Sequence, residues 1–349
     1  MEEIKFLAGS EKRFFDFISK LSDKDKIALL SHNDADGLTS AVIVAKVIGN
    51  VEYVNFMGYK MGMLAAIIPE LKKNKINKVI MTDLSIDGGS EGIKELEKFA
   101  EVLIIDHHVF SQDLNSEKTT FIKAASGFPA AYMCYYLFSK IQKIDGWIAA
   151  RGIVSDRVDR YHNRNVCEVF NDFGLGETPR CEYFWKSVMN LGYALIYFRD
   201  NEKKIFDILM KAKNFDDVKE LDKYAGEVEA ELDKYMKDFE KNREEFYDMM
   251  YYYYKPKFSI NSMFASAVSG WDKGKTYVIA CGGGDFLRVS ARRQDKQVDC
   301  VKLLQESVVD IPQSTAGGHV PAAGANFPEK YLAKFKENLF RVYGNMRKL

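Results

Sequence analysis

The sequence predicts an α/β protein with an N-terminal domain built on a parallel β-sheet with helices on both faces, a helical connector and a smaller C-terminal α/β domain. Two patterns lead to this prediction. In the N-terminal part, short apolar runs typical of buried strands alternate with segments of helical apolar spacing. Near the C-terminus, two strand-like runs flank a glycine-rich turn. The length of 349 residues is sufficient for two domains.

The N-terminal elements are predicted from these runs in chain order. Short apolar runs bounded by polar residues indicate strands at Ile27–Leu30, Val51–Phe56, Val79–Met81 and Glu101–Ile105. Helical apolar spacing indicates helices at Leu38–Ile48, Leu64–Leu71, Phe128–Ile141 and Ile144–Val154. Strands that alternate with helices form parallel sheets through right-handed crossovers, which place helices on both faces of the sheet.

The segment from residue 201 to residue 254 is predicted to be helical because it is charged, contains no proline and has one glycine. Its last helix is expected to end at the cluster Tyr251–Tyr254, and we favour packing of these rings at the domain junction over stacking on bases. Pro256 marks a boundary, since proline disrupts a helix interior and restricts the residue before it. The predicted domains are residues 1–195, 196–256 and 257–349.

The C-terminal domain is predicted to contain two strands, Thr276–Ala280 and Phe286–Ser290. The glycines between them, in Cys281–Asp285, are interpreted as a hairpin turn. A phosphate-binding glycine loop leads from a strand into a helix, whereas this segment leads into another strand.

Acidic residues and histidines follow four of the apolar runs, and ligands of open α/β sheets gather beyond the carboxyl ends of strands. They are His32, Asp34 and Asp36 after Ile27–Leu30, Asp83 after Val79–Met81, Asp106, His107 and His108 after Glu101–Ile105, and Asp156 after Gly152–Val154. Asp34 and Asp36 share a direction in an extended segment, and two close carboxylates require a cation. The sequence therefore predicts a metal site.

In this order and spacing, the four motifs resemble those of the DHH phosphoesterase superfamily. The first motif reads HNDADG from His32 to Gly37, and the third is the tripeptide Asp106–His108. A fifth element, Gly317-Gly318-His319 followed by Ala322-Ala323-Gly324, resembles the signature of the associated C-terminal DHHA1 domain. The resemblance spans most of the chain. It implies a DHH catalytic domain, a DHHA1 substrate-binding domain and a metal-dependent phosphoesterase activity.

The resemblance also implies two divalent metal ions. The first would be held by His32, Asp34 and Asp83, and the second by Asp36, Asp83, His107 and Asp156. Asp83 would then bridge the two ions. Carboxylate and imidazole ligands without a thiolate suit manganese, and are compatible with magnesium, zinc or iron. Asp159 stands close enough in the sequence to take the role of Asp156.

Two residues of the third motif are expected to act beside the metals. By the resemblance, Asp106 lies behind the metal ligands as a carboxylate that fixes the orientation and tautomer of a metal-bound histidine. His108 would face the substrate, where it binds the scissile phosphate or protonates the leaving oxygen, for which the pKa of histidine is suitable. Asp106 and His108 are therefore the predicted catalytic pair.

Substrate-binding residues are predicted in the C-terminal domain: Arg288, Arg292, Gly317, Gly318 and His319. Glycines let backbone N–H groups approach a phosphate closely, and His319 would add a donor. The resemblance gives this glycine loop a phosphate-binding role across a cleft from the metals. The two arginines share a face only if extended structure continues through Ala291. A solvated strand edge and a plain loop are the alternatives for these residues.

Composition excludes several classes of protein. The 50 basic residues balance the 50 acidic ones, so no global field drives the protein onto nucleic acid or an anionic membrane. Five cysteines without C-x-x-C spacing argue against a zinc ribbon and a disulfide framework, and favour a reducing cytoplasm. The N-terminus lacks signal-peptide features, and no apolar run reaches the roughly 18 residues of a membrane span. We expect a soluble cytoplasmic protein without a membrane partner.

Within the superfamily, the segment Asp34–Ser40 resembles RecJ-type exonucleases and their short archaeal relatives more than family II pyrophosphatases. The expected activity is a manganese-dependent exonuclease that uses a two-metal-activated hydroxide to release mononucleotides from an end of single-stranded DNA or RNA. One alternative is a phosphodiesterase or phosphatase for short oligonucleotides, cyclic dinucleotides or nucleotide bisphosphates. Another is a non-catalytic scaffold of replication or repair. An active enzyme is compatible with a helicase or replisome protein as a partner. Residues 201–245 are a candidate docking surface, but a solvated connector is the favoured interpretation of this segment.

Overall fold

A computed structural model of the chain describes residues 4–58, 62–125, 127–156, 169–170 and 182–347. The chain divides into two compact units, residues 1–225 and 226–349. The segment predicted as a connector, 196–256, contributes residues to both units, and the domain limits predicted at residues 195 and 256 stay predictions. None of the described helices combines the length and apolar character that crossing a lipid bilayer requires.

The first unit is an α/β structure. Its described strands are β1 (Ile27–His32), β2 (Tyr53–Met57), β3 (Lys78–Thr82), β4 (Glu101–Asp106) and β5 (Thr119–Lys123). Its described helices are α1 (Glu11–Ile18), α2 (Ala35–Ile48), α3 (Met63–Lys73), α4 (Ser90–Glu97), α5 (Ala130–Phe138), α6 (Gly146–Ser155), α7 (Glu182–Tyr197) and α8 (Lys203–Lys211). The strands form a parallel sheet in the order β2-β1-β3-β4-β5. The predicted fold class is confirmed.

Both faces of this sheet are covered by helices, as predicted. Successive side chains of a strand point to opposite faces. On β1, Ala28 and Leu30 pack with α3 and α4, whereas Ile27 and Leu29 pack with α1, α2, α5 and α6. Burial on both faces explains why the strands appear in the sequence as nearly continuous apolar runs and not as alternating patterns.

The order of the strands brings the polar motifs to one edge. β2 and β3 lie on opposite sides of β1, so the direction in which the sheet grows reverses between them. Open α/β sheets form a ligand crevice at such a reversal, beyond the carboxyl ends of the strands. Ser31 pairs with Thr82, and Thr82 pairs with Ile105. The ends of β1, β3 and β4 therefore lie side by side.

The second unit also combines a sheet with helices. Its described strands are β6 (Glu244–Phe246), β7 (Met249–Tyr254), β8 (Thr276–Cys281), β9 (Phe286–Arg292), β10 (Thr315–His319) and β11 (Ala322–Pro328), in the order β10-β11-β9-β8-β7-β6. The helices α10 (Asn261–Ser269), α11 (Cys300–Val308) and α12 (Leu332–Met346) belong to this unit, and α9 (Asp222–Asn242) contains the division between the units. The hairpin predicted at Cys281–Asp285 is confirmed, because β8 and β9 pair antiparallel.

The prediction that the tyrosine cluster ends a long helix is wrong. The helix α9 ends at Asn242, and the tyrosines belong to β7, which pairs with both β6 and β8. Tyr251 packs in the core of the second unit, and the rings of Tyr252 and Tyr254 contact Phe264 of α10 on the other side. Burial on both sides of a strand suits aromatic residues and outweighs the helical tendency of the preceding segment.

Candidate functional site

The first motif is built by the cap of α2. Asp34 is the N-cap residue, and its Oδ1 accepts a hydrogen bond of 2.9 Å from the N–H of Gly37. Only glycine fits at position 37, because a Cβ there would lie 2.3 Å from the carbonyl oxygen of His32. The other carboxylate oxygen of Asp34 lies 2.9 Å from Nδ1 of His32. The cap therefore fixes an acidic oxygen beside the imidazole that ends β1.

Asp36 lies in the first turn of α2 and is buried. The first N–H groups of α5, those of Ala130 and Ala131, donate hydrogen bonds of 2.8 and 2.9 Å to its two carboxylate oxygens. Burial raises the pKa of Asp36 well above its usual range, and the neighbouring carboxylates of Asp83 and Asp156 raise it further. The two hydrogen bonds fix the position of the carboxyl group, whereas burial and the neighbouring carboxylates disfavour its negative charge. A bound cation would stabilise that charge.

Asp83 follows β3 and has a left-handed backbone, with φ of 59°. Aspartate tolerates this region better than most residues, although such a conformation costs about 1 kcal/mol or more. The N–H of Asp83 donates to the carbonyl oxygen of Ile105, which holds the turn against β4. Its buried carboxylate places Oδ2 3.5 Å from Nδ1 of His32 and Oδ1 3.3 Å from Nε2 of His107. One carboxylate thus lies between the two histidines.

His107 meets three carboxylates. Its Nε2 atom lies 3.3 Å from Asp83, 3.4 Å from Asp156 and 3.7 Å from Asp36. Asp156 is the C-cap residue that directly follows α6. The alternative ligand predicted at Asp159 lies outside the described residues. The three strand ends and the end of α6 therefore converge on one cluster.

Asp106 contacts the second histidine of the tripeptide. Its Oδ1 accepts a hydrogen bond of 2.7 Å from Nδ1 of His108, and its Oδ2 pairs with the ammonium of Lys123. Burial would raise the pKa of Asp106, but the hydrogen bond from His108 and the charge of Lys123 lower it to about 2. Asp106 is thus an ionised carboxylate that orients His108.

The convergent side chains suit a pair of divalent cations. Among the described residues, three groups have ligand atoms within 4.8 Å of one another: His32, Asp34 and Asp83; Asp36, His107 and Asp156; and Asp83, His107 and His108. Shared members join the groups into one cluster. The donor set is oxygen and imidazole nitrogen, which suits manganese and magnesium.

Protons partly compensate the negative charge of the cluster. Burial lowers the pKa of His32, but its hydrogen bonds to Asp34 and Asp83 raise it to about 10. The pKa of His107 is also raised to about 10, because Asp83 and Asp36 outweigh the effect of burial. Burial raises the pKa of Asp156 as well. Cations at this place would replace these protons, so the residues present fit a metal centre.

Close packing of α6 against α2 positions Asp156, and Gly152 allows it. A Cβ at Gly152 would lie 2.4 Å from Oγ1 of Thr39, 2.5 Å from Cβ of Ala131 and 2.9 Å from Oδ1 of Asp36. We expect Gly152→Ala to destabilise the fold by about 1–3 kcal/mol through overpacking and to weaken manganese binding, because α6 must move away with Asp156. Thermal unfolding and calorimetric titration with Mn2+ measure the two effects.

Gly192→Ala is the matched control for this prediction. Gly192 also lies inside a helix, α7, but a Cβ there would meet no atom within 4 Å. Alanine is favoured over glycine in helices by roughly 1 kcal/mol, so this variant should be as stable as the parent or more stable. Equal metal affinity of Gly152→Ala and the parent protein would show that this packing does not position Asp156.

The predicted substrate-binding arginines lie on one strand of the second unit. β9 runs through Ala291 to Arg292, so Arg288 and Arg292 lie on the same face. Arg288 donates to Oγ of Ser259 at 2.9 Å, and Arg292 donates to Oγ of Ser262 at 3.2 Å. Arg293, on the opposite face, is buried in ion pairs with Asp248 and Asp295 and serves the fold.

A groove of about 590 Å³ lies on this face of the second unit. Its lining includes Ser259, Ser262, Arg288, Gly317 and Asn326. The helix α10 starts beside it at Asn261 without a side-chain cap, so the first N–H groups of α10 add positive potential to that of Arg288. The groove therefore suits an anion. Ser259 and Ser262 were not identified from the sequence as binding residues. Serines are common in ordinary turns, so the local sequence does not distinguish them.

The glycine-histidine triplet was predicted as a loop, and this prediction is wrong. Gly317, Gly318 and His319 end β10, which pairs antiparallel with β11. Gly318 has φ of 138°, and a Cβ there would lie 2.6 Å from the carbonyl oxygen of Ala322, so the hairpin requires glycine. Gly317 lines the groove, and His319 is exposed at the end of the strand. A strand edge still presents backbone N–H groups.

Comparisons with known proteins are consistent with this geometry. A family model described as DHH family, N-terminal domain, matches residues 26–158. This range contains the predicted metal ligands of all four motifs. A comparison with curated protein sequences found no match.

Several solved structures have a similar fold. An exonuclease RecJ bound to manganese matches with a TM-score of 0.71 and 16% identity, over 100% of this chain and 96% of that chain. RecJ from Thermus thermophilus, in complex with Mn2+, matches with a TM-score of 0.67 and 14% identity, over 99% of this chain but only 56% of its own length. An exopolyphosphatase-related protein from Bacteroides fragilis matches with a TM-score of 0.52 and 12% identity, over 98% of this chain and 99% of that chain.

Proposed function

Since the chain is a member of the DHH superfamily with a RecJ-like fold, we propose that it is a metal-dependent phosphoesterase whose first unit binds two divalent metal ions. The observation that carries this proposal is the arrangement of Asp83. Its two carboxylate oxygens face His32 on one side and His107 on the other. A carboxylate that faces potential ligands on both sides is in the position expected of a ligand that bridges two metal ions.

The contacts support the ligand sets that the resemblance implies. His32, Asp34 and Asp83 would hold the first ion, and Asp36, Asp83, His107 and Asp156 would hold the second, with Asp83 shared. Manganese is the ion we propose, because the ligands are carboxylates and imidazoles and because RecJ structures with the same fold contain Mn2+. When bound, such a pair of ions generates a nucleophile at neutral pH and stabilises the charge of an in-line displacement at phosphorus.

We assign to His108 a role at the leaving group or the scissile phosphate. Its Nδ1 is engaged by Asp106, which leaves Nε2 as the ring atom that faces away from that carboxylate. When the ring also carries a proton on Nε2, a histidine held in this way can donate that proton to a leaving oxygen or hydrogen-bond a phosphoryl oxygen. Asp106 itself stays ionised and orients the ring.

We propose that the substrate is single-stranded DNA or RNA and that the protein releases mononucleotides from one end as an exonuclease. The groove of the second unit supports the choice of a phosphate-bearing substrate, because Arg288 and the start of α10 present donors there, and Arg292 contacts the lining residue Ser262. The RecJ-like fold supports the choice of a nuclease. Gly317, Gly318 and His319 would contact a substrate phosphate through backbone N–H groups and an imidazole.

A second candidate is a phosphodiesterase for short oligonucleotides or other small nucleotides. Two observations favour it. The groove of about 590 Å³ has the size of a small-molecule site, and the balance of 50 basic and 50 acidic residues provides no overall attraction for a long polyanion. The same fold also occurs in the exopolyphosphatase-related protein from Bacteroides fragilis.

The test of the proposed function is a hydrolysis time course with Mn2+ on end-labelled DNA and RNA strands from about two to forty nucleotides. Ladders from long strands would support the exonuclease, and the position of the label would give its polarity. Cleavage that is confined to dimers and trimers would support the small-substrate phosphodiesterase. Absence of metal-dependent cleavage for all strands would contradict both proposals.

Replacement of Arg288 should separate substrate binding from chemistry. We expect Arg288→Met to raise KM by about 10- to 100-fold with little change in kcat, because it removes one charged contact worth roughly 1.5–3 kcal/mol. The slope of log KM against log salt concentration should fall by about one unit. Arg341→Met, which removes an exposed arginine from α12, is the matched control for net charge. An unchanged KM and salt slope would remove Arg288 from the substrate site.

A further inference from the structure

We propose that Lys123 is a positioning residue for His108, because it clamps both ends of the Asp106–His108 tripeptide and so sets the direction of the His108 ring. This inference rests on the proposed phosphoesterase activity and deepens it by naming a residue outside the four motifs. Lys123 is the last residue of β5, a strand that the sequence analysis did not predict.

The first contact of the clamp is with the side chain of Asp106. Lys123 and Asp106 are register partners across β5 and β4, and the side chains of both are 0% exposed. The ammonium pairs with Oδ2 of Asp106, while Oδ1 of Asp106 accepts from Nδ1 of His108 at 2.7 Å. Each carboxylate oxygen therefore has its own partner, and rotation of the carboxylate would break both contacts.

The second contact is with the backbone of His108. The Lys123 ammonium also donates to the carbonyl oxygen of His108 at 2.6 Å. The rings of Phe110 and Phe121 lie 5.6 Å from the ammonium and enclose it. The tripeptide is thereby held at the side chain of its first residue and at the carbonyl of its last. His107, between them, is directed towards the carboxylates of the metal site.

The chemistry of a buried ion pair indicates a role beyond stability. Burying an ammonium and a carboxylate carries a large desolvation penalty, and apolar residues of the same volume often stabilise a core as well or better. Without the ammonium, the second oxygen of Asp106 would lose its partner, and the carboxylate could rotate. It would then no longer be a fixed acceptor for His108. Lys123 thus acts on the reaction through Asp106 and His108.

Lys123→Met removes the charge and the donors but retains the apolar stem. We expect kcat to fall by about 10- to 100-fold, the range found when groups behind the metal ligands are removed, with KM changed by less than about threefold. Calorimetric titration should still detect the same number of bound Mn2+ ions. If this variant does not fold, Lys123→Gln, which retains an uncharged donor, takes its place.

Non-additivity separates positioning from a structural role. If Lys123 acts through His108, then adding Lys123→Met to His108→Ala should lower kcat by less than about twofold beyond His108→Ala alone. A further loss as large as that of Lys123→Met in the parent protein would overturn the inference.

Lys78→Met is the matched control. Lys78 is a buried lysine of the same sheet, paired with Glu101 at 3.1 Å, but it starts β3 at the opposite end of the strands. It should affect thermal unfolding and leave kcat unchanged.

A spectroscopic readout tests the inference independently of activity. In metal-free protein with 15N-labelled histidine, the side-chain signals of His108, assigned by their loss in His108→Ala, should indicate the tautomer with the proton on Nδ1. In Lys123→Met the two tautomers should mix. Unchanged His108 signals would overturn the positioning role even if the enzyme is active. A protein that cleaves no substrate but shows the expected spectral change would contradict only the proposed function.

Discussion

Asp83→Asn is expected to lower turnover by at least about 1,000-fold in the metal-dependent hydrolysis assay. The substitution preserves the shape of the side chain and suits the left-handed backbone at position 83, but it removes the charge that we assign to bridging two ions. Metal ions supply several kcal/mol of transition-state stabilisation, and each 1.36 kcal/mol corresponds to a tenfold change in rate. Calorimetry should also detect fewer than two bound Mn2+ ions.

Asp87→Asn is the control for loss of a buried carboxylate near the end of β3. Asp87 accepts hydrogen bonds from the backbone and the hydroxyl of Ser111 at 2.6 and 2.7 Å, and within the described residues it belongs to no group that could hold a metal. Its replacement should lower thermal stability and keep turnover within about tenfold of the parent. Turnover of Asp83→Asn near that of the parent would contradict the proposed metal centre.

Manganese affinity is expected to rise steeply with pH between about 6 and 8. In the metal-free protein the pKa values of His32 and His107 are raised to about 10, and that of Asp36 is raised well above its usual range. The two histidines are therefore protonated at neutral pH, whereas metal ligands must be deprotonated. Binding must displace protons, so the dissociation constant should fall about tenfold per pH unit for each proton displaced.

Titration calorimetry in two buffers with different ionisation enthalpies measures the number of protons released on binding Mn2+. The expected direction of the change in affinity follows from the raised pKa values of the histidines. The carboxylates stabilise protons on the histidines, and these protons compete with the cation. The competition weakens as pH rises. Affinity that stays constant from pH 6 to pH 8, with no proton release, would show that the cluster is not the metal site.

The sequence alone was sufficient to predict a parallel sheet, four of its five described strands and the residues that converge at its edge. Carboxyl ends of neighbouring parallel strands share one edge, so His32, Asp83 and His107 were expected to meet without knowledge of any distance. Burial of the sheet on both faces made its central strands visible as continuous apolar runs. The resemblance to the DHH superfamily rested on the same residues, and the match to residues 26–158 confirms it.

Elements whose identity depends on their neighbours could not be predicted in this way. Tyr251–Tyr254 follows a helical segment, but it forms a strand because β8 supplies hydrogen-bond partners and α10 covers the rings. The Gly317–His319 triplet has the composition of a loop, but it forms a strand because β11 pairs with it. Strand formation requires a pairing partner outside the segment itself, and the composition of the segment does not identify that partner.

By itself, the sequence determined which residue types lie at the ends of the central strands, because their order along the chain and the rules of parallel sheets leave little choice. The tertiary structure alone decided how those side chains are shared: Asp83 between two histidines, and Asp106 with His108 and with the buried ammonium of Lys123. Such pairings depend on side-chain directions and on distances of a few ångströms, and the energy of a buried charge depends on the groups that surround it.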